Sequence, residues 1–166
     1  MSSTRFSAAV LTVSTSVAAG SSEDRSGELL SELAADAGAE VVARGLVSDD
    51  AAAIEAWLRE QVQADVPLVF TTGGTGFTPD DVTPEATRAV VEREAPGIAE
   101  AMRAESIRRT PLGMLSRGVC GIAGRTLIVN FPGSPNAVRE LFGVISPVLV
   151  HAVATLRRER GQRVEH

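Results

Sequence analysis

Four short apolar runs recur along the chain, and what lies between them restricts the fold more than any other feature. Residues 6–14 (FSAAVLTVS), 39–47 (AEVVARGLV), 66–72 (VPLVFTT) and 118–131 (GVCGIAGRTLIVNF) are rich in β-branched side chains and suit buried strands. The last reads as two strands around a Gly-Arg turn. Helical spacing fills the gaps. Leu29, Leu30, Leu33, Ala34 and Ala37 share a face within 26–37 that Gly38 ends. Ile54, Trp57, Leu58 and Val62 share another, with Ser48 or Asp49 as its cap. Thr83 as N-cap, with Pro84 and Glu85 behind it, starts a third helix, and Pro96-Gly97 separates a fourth over 97–108. Ser134 and Pro135 open a long last helix whose face runs from Val138 through Leu141, Phe142, Ile145 and Leu149 to Leu156; Pro147 is placed to kink or break it. Strands alternating with helices predict one α/β domain over 1–166, a three-layer, doubly wound, mostly parallel sheet.

Composition narrows the function classes. The net charge of −5, with five Phe, one Trp and no Tyr, argues against a nucleic-acid partner, which calls for a basic face or aromatic stacking platforms. All 16 basic residues are Arg. A Walker-A loop and Schiff-base chemistry both need a Lys, so both are excluded. Cys120, the one cysteine, sits in an apolar run and is expected to be a small buried hydrophobe; no Cys/His pair has zinc spacing. Of the two histidines, His166 ends the chain and His151 lies in an apolar helix, where a packed or interfacial role is expected. The start, with Thr and Ser interrupting Ala8–Val13, reads as a first strand rather than a signal peptide. The run Leu141–Leu156 contains Pro147 and His151 and is short for a bilayer, so no membrane partner and a cytoplasmic location are expected. Residues 157–166 read as a frayed tail.

The segments after the strands carry the chemistry. STSVAAGSSEDRSG follows the first strand, TTGGTGFTPDD the third and PGSPN the last, and each leads into a helix N-terminus. In a parallel sheet all three lie on one edge, the ligand-binding edge. Helix N-termini there offer unpaired N–H groups, hydroxyls add donors, and Gly lets the backbone approach closely. Singly each segment reads as a turn or cap; together they predict a phosphate-bearing ligand. Asp80 and Asp81 adjoin the Gly loop, and Asp49 and Asp50 follow the second strand. Asp49 and Asp81 then share the edge, and carboxylates beside phosphate call for a cation between them, Mg2+ by preference. Asp49 reads equally well as a helix cap. Arg117 and Arg125 flank the strand pair, either as guanidinium forks for phosphate or as surface residues. No Ser-His-Asp or Cys-His set is in evidence, and the first strand leads into no G-x-G-x-x-G.

The stretches TTGGTGFTPDDVTPEAT, EDRSG, LSRGV and NFPGSPNAV resemble the MogA/MoaB family of molybdenum-cofactor biosynthesis proteins, in order from about residue 8 to residue 155. That resemblance implies a single α/β domain that is usually a homotrimer, occasionally a hexamer. It implies adenylylation of molybdopterin by ATP with Mg2+, with pyrophosphate released and the product passed to a downstream molybdate-insertion protein. It further implies that Asp49 and Asp81 are the catalytic and metal-holding acids. Ser14, Ser16, Asp24, Ser26 and Gly27 after the first strand, Gly73, Gly74, Thr75 and Gly76 in the Gly loop, and Ser116, Pro132, Gly133 and Ser134 would hold pterin and nucleotide. Two positions depart from the family pattern: Asp80 stands where many members have Arg, and Asn136 where many have Lys. Both lower the positive potential of the pocket. A non-catalytic pterin carrier therefore stays open beside the enzyme, as does a nucleotide-processing enzyme of the competence-damage type.

Overall fold

The structure, a computed structural model, describes residues 6–162. The first described strand lies inside the sheet, second from one edge. Strand β1 (Phe6–Val13) is buried along nearly its whole length, as an apolar run flanked on both sides requires. Each fully buried Val or Leu in such a strand contributes about 1.5–3 kcal/mol. After a short helix α1 (Thr15–Ala18) and helix α2 (Arg25–Asp36), strand β2 (Ala39–Val47) lies parallel to β1 at one edge. Helix α3 (Ala51–Gln63) returns the chain to β3 (Leu68–Thr72), parallel to β1 on its other side. Helix α4 (Thr83–Val90), a two-residue strand β4 (Arg93–Glu94), helix α5 (Pro96–Arg109) and a 3-10 turn (Pro111–Leu115) follow. Strands β5 (Cys120–Ala123) and β6 (Thr126–Phe131) form the antiparallel hairpin expected around Gly124-Arg125, with Gly124 at φ 58°. β6 pairs parallel with β3, and α6 (Pro135–Leu156) closes the fold. The sheet order is β2-β1-β3-β6-β5-β4.

Two apolar layers hold the sheet between helices. On one face Leu30, Met102, Val138, Phe142 and Leu149 from α2, α5 and α6 pack on Val10, Phe70 and Phe131. Phe70 meets Phe131 and Phe142 edge-on, ring centroids 5.8 Å apart in both pairs, the geometry favoured by the ring quadrupole. On the other face Ile54, Leu58, Ala86 and Val90 from α3 and α4 pack on Leu11, Val69 and Ile128. These layers are the predicted three-layer, mostly parallel architecture.

Local expectations fare unevenly. Asp50, not Ser48 or Asp49, caps α3: its Oδ1 accepts from the Ala52 and Ala53 amides at 2.9 and 3.2 Å. Thr83 makes no cap bond at α4. Pro147 breaks nothing, because α6 runs continuously through it. Pro147 and Gly143, whose carbonyl the missing N–H would have bonded, are both exposed, so water can take that carbonyl. Cys120 is buried as expected, whereas His151 is exposed and not packed within this chain. His166 lies outside the described residues. Of the predicted tail, Arg157 at the end of α6 pairs with Asp65, and residues 163–166 lie outside the described residues.

Candidate functional site

The chain leaves β1 toward β2 on one side of it and later places β3 on the other, so the sheet order reverses between β1 and β3. At such a switch point the loops from the strand ends part and leave a crevice. A cavity of about 390 Å3 occupies that crevice. It lies at the carboxyl ends of β1 and β3, between Thr12–Ser14 and Thr72–Gly74. Of the residues singled out from sequence, Ser14, Ser26, Asp49, Gly73, Gly74, Asp81 and Gly133 line it. The two acids, 32 positions apart in the chain, therefore face one space.

Each acid is held by one oxygen. Asp49 Oδ2 accepts from the Thr15 amide at 3.1 Å and from Thr15 Oγ1 at 2.8 Å. Asp81 Oδ2 accepts from the Thr78 amide at 3.0 Å, closing a turn that the Asp81 amide completes onto Thr78 O. Among the described residues neither Oδ1 has a protein donor, so each carboxylate keeps an acceptor for a ligand. Capping by Asp50 is what releases Asp49 for this arrangement.

The Gly loop is shaped by close approach. Gly73 and Gly74 have φ of 99° and 68°, and a Cβ on Gly73 would fall 2.2 Å from Val13 O. Only glycine fits there. Thr83, buried at the start of α4, donates its hydroxyl to Gly73 O at 2.9 Å, and its amide donates to Gly74 O at 3.1 Å. Sequence had assigned that side chain to a cap; it holds the loop instead.

A second cavity, also about 390 Å3, adjoins the first. Thr75, Ser116, Pro132 and Ser134 line it, while Gly73, Gly74, Gly133 and Pro135 line the first. Successive residues of the same two loops thus face opposite cavities, and the loops meet where a Cβ on Gly133 would lie 3.5 Å from Gly73 Cα. Met102, Leu112, Leu115 and Leu141 make the second cavity largely apolar. Arg103 borders it too, but its guanidinium donates to Ser116 O, Gly118 O and Ala99 O.

Four predicted residues line neither cavity. Asp24 caps α2 through the Gly27 amide and also holds Thr12 Oγ1 and Arg44. Gly27 has no room for a Cβ, which would fall 2.1 Å from Thr12 Oγ1. Ser16 reaches Ser14 Oγ at 3.2 Å, and Gly76 lies against Asp81. These four support the walls. Asp80 and Asn136, the departures from the family pattern, are exposed and also line neither cavity. Arg125 pairs with Asp65 at the opposite edge of the sheet, and Arg117 is wholly engaged by backbone and Glu85, so neither is a free phosphate fork.

Sequence reasoning missed Glu23, just before α2, and Arg25, its first residue, which both line the first cavity. Nothing in their local pattern distinguishes them from solvated residues; their pairing at 3.2 Å, largely exposed, is of the surface kind. The charges lining this cavity are Glu23, Asp49, Asp81 and Arg25, three acids against one base. Phosphate would meet net repulsion there unless a cation stood between. Among the described residues no three His, Cys, Asp or Glu side chains cluster as a metal cage. Two free carboxylate oxygens with hydroxyls nearby instead suit a hard ion that keeps its waters and shares phosphate oxygens, which is how Mg2+ binds.

Residues 9–151 match the family described as "Probable molybdopterin binding domain". The solved structure of the molybdopterin biosynthesis enzyme MoaB from Thermus thermophilus superposes with a TM-score of 0.86 at 43% identity, covering 91% of this chain and 96% of that one. The molybdenum cofactor synthesis protein cinnamon of Drosophila melanogaster is 44% identical over 146 residues, 87% of this chain and 24% of its own length. The molybdopterin adenylyltransferase of Haemophilus influenzae is 47% identical over 96 residues, 57% of this chain and 49% of its own. The chain thus spans about half or less of the length of these two curated relatives.

Proposed function

The chain belongs to the molybdopterin-binding domains of molybdenum-cofactor biosynthesis, and from that premise we propose that it is a molybdopterin adenylyltransferase, joining ATP to molybdopterin with release of pyrophosphate. One observation carries the reading: Asp49 and Asp81 line one cavity with Gly73 and Gly74 at the sheet's switch point, each with a carboxylate oxygen that no described residue donates to. The name of the Haemophilus influenzae relative supports it.

In this reading Asp49 and Asp81 would hold Mg2+, which when bound would supply positive charge to offset the phosphate oxygens against the surrounding carboxylates. Gly73 and Gly74 let the backbone come close to the phosphates, and Ser14 and Ser26 supply hydroxyl donors. The adjoining apolar cavity takes a substrate ring, with Thr75, Ser116 and Ser134 meeting its polar edge. A molybdopterin phosphate oxygen then attacks the α-phosphorus, forming the new P–O bond as the bond to pyrophosphate breaks. No side chain is needed as nucleophile, so positioning and electrostatics provide the rate. The same reading takes the assembly as a homotrimer, about three times the 17.3 kDa chain by light scattering, and a molybdate-inserting protein as recipient of the product.

The test is chromatographic detection of adenylylated molybdopterin, with pyrophosphate measured alongside, from ATP, Mg2+ and fresh molybdopterin. Product in proportion to pyrophosphate supports the enzyme. Molybdopterin bound without either product supports the carrier, a reading favoured by Arg25 being the one base among the charged residues lining the first cavity. ATP hydrolysed with no pterin consumed would sink both.

A further inference from the structure

The loop that delivers Asp81 begins in the wall of one cavity and ends in the other. Thr75 lines the apolar cavity and Asp81 the acidic one, with Gly76, Phe77, Thr78, Pro79 and Asp80 between them. Phe77 is 65% exposed, so the loop has no apolar anchor at its tip. Its ends are held from outside. Arg117 Nε donates to Gly76 O at 2.8 Å and its Nη2 to Asp81 O at 2.8 Å. Nη1 bonds both carboxylate oxygens of Glu85, in the first turn of α4, at 2.8 and 2.9 Å. The Arg117 amide also donates to Thr75 O at 2.9 Å. One guanidinium therefore ties the first and last carbonyls of a six-residue loop, Gly76 to Asp81, to the helix that follows.

We propose that Arg117 is the positioning residue for Asp81: its planar fork fixes the distance between the two loop ends and so the place of the Asp81 carboxylate in the cavity. The assignment rests on the adenylyl-transfer reading only for its catalytic consequence. Charge strengthens the case. The segment Asp80–Glu85 carries three acids and no base, and Arg117, which lines neither cavity, sets a cation against Glu85 and the Asp81 carbonyl. A fork with fixed geometry can span two carbonyls and a carboxylate, whereas a Lys ammonium is a point charge that cannot hold all three at set separations.

Arg117→Met, Arg117→Lys and Glu85→Gln separate the possibilities. Arg117→Met is expected to lower kcat about 100-fold, the cost of misplacing a reacting group by about an ångström, with KM for ATP and molybdopterin unchanged within about twofold. Arg117→Lys keeps the charge and should stay close to Arg117→Met. Glu85→Gln leaves both carbonyl bonds in place and should remain near wild type. Hydrogen exchange supplies a readout free of turnover: in Arg117→Met, the Thr78 and Asp81 amides, the two that hydrogen-bond within the loop, should exchange at least about tenfold faster while those of β3 and β6 hold their protection. Three results would overturn the proposal. Raised KM for ATP with kcat intact would make Arg117 a direct phosphate ligand. Full activity in Arg117→Lys would make charge, not the fork, sufficient. Faster exchange throughout the sheet would make the residue merely structural. An inactive wild type would remove the adenylyltransferase, and the exchange pattern would still decide for or against the fork.

Discussion

Asp49 and Asp50 are adjacent and chemically identical, and their surroundings give them different work. Asp50 spends its carboxylate on the Ala52 and Ala53 amides; Asp49 ties one oxygen to Thr15 and turns toward the cavity. Sequence alone could place both at the strand end but could not choose between them, because either residue satisfies a helix N-terminus. Asp49→Asn keeps an oxygen for the Thr15 donors but loses the charge. We expect the melting temperature to hold and adenylyl transfer to fall by at least about 100-fold, since on the proposed reading Asp49 would hold the metal through its charge. Asp50→Ala should reverse the pattern, costing about 1 kcal/mol of stability with the Asp49 carboxylate untouched. Thermal melts and pyrophosphate release on both proteins check the pair. Cys120 offers a prediction of another kind. Burial pushes its thiol pKa up to about 12, so at neutral pH it carries no thiolate. A maleimide or disulfide reagent should leave native protein unmodified and label one thiol per chain in denaturant; native labelling would show that β5 opens.

Among the elements, those that bury an apolar face were legible and those that only connect were not. Strands β1, β2, β3 and β6 and helices α2, α3 and α6 follow from their apolar runs and faces, because a buried face imprints its spacing on the sequence, whereas α5, which buries only Met102, was marked by the Pro96-Gly97 break alone. The four-residue α1, the two-residue β4 and the turn Pro111–Leu115 have too few positions to show a period. The Gly loop sits between these cases. Its glycines announced a close approach, but not that β1 is the neighbour or that Thr83 is the clamp. Thr83→Val preserves shape and removes the hydroxyl that Gly73 O accepts at 2.9 Å. A buried carbonyl left without its donor costs about 1–3 kcal/mol, so we expect a lower denaturation midpoint with an unchanged slope. Transfer activity should fall as well, because the loop then loses its register over the cavity. A midpoint lowered without loss of activity would confine Thr83 to stability.

At the scale of the molecule, the candidate site and the Asp65 ion pairs lie at opposite ends of the central strands. The carboxyl ends of β1 and β3 carry the candidate site, and the convergence of its loops there was legible, since three loops rich in small residues can converge only where parallel strands end together. The division into two cavities was not legible, because it depends on which way successive residues of 73–75 and 132–135 face. At the far edge Asp65, in the left-handed region at φ 59°, joins three distant parts of the chain. It accepts from Arg125 in the β5–β6 turn and from Arg157 at the end of α6, just before its own chain enters β3. The hydrogen bond from Arg125, supported by Arg157, lowers its pKa below the ordinary 3.8. A depressed carboxylate stabilises the fold above the unfolded-state pKa, and that contribution disappears as the pH falls through the folded-state value. Asp65→Asn is well suited to the test, since Asn also tolerates the left-handed backbone. With the site partly exposed, the loss at neutral pH should be of the surface-pair size, about 1–3 °C in Tm. The wild type and Asp65→Asn should begin to converge as the pH falls below 3.8 and meet only below the lower folded-state pKa, where both side chains are neutral. Adenylyl transfer at pH 7 should match wild type, because the site lies at the other edge. A constant Tm gap down to pH 3 would instead assign the difference to backbone or packing and remove the ion pairs as its cause.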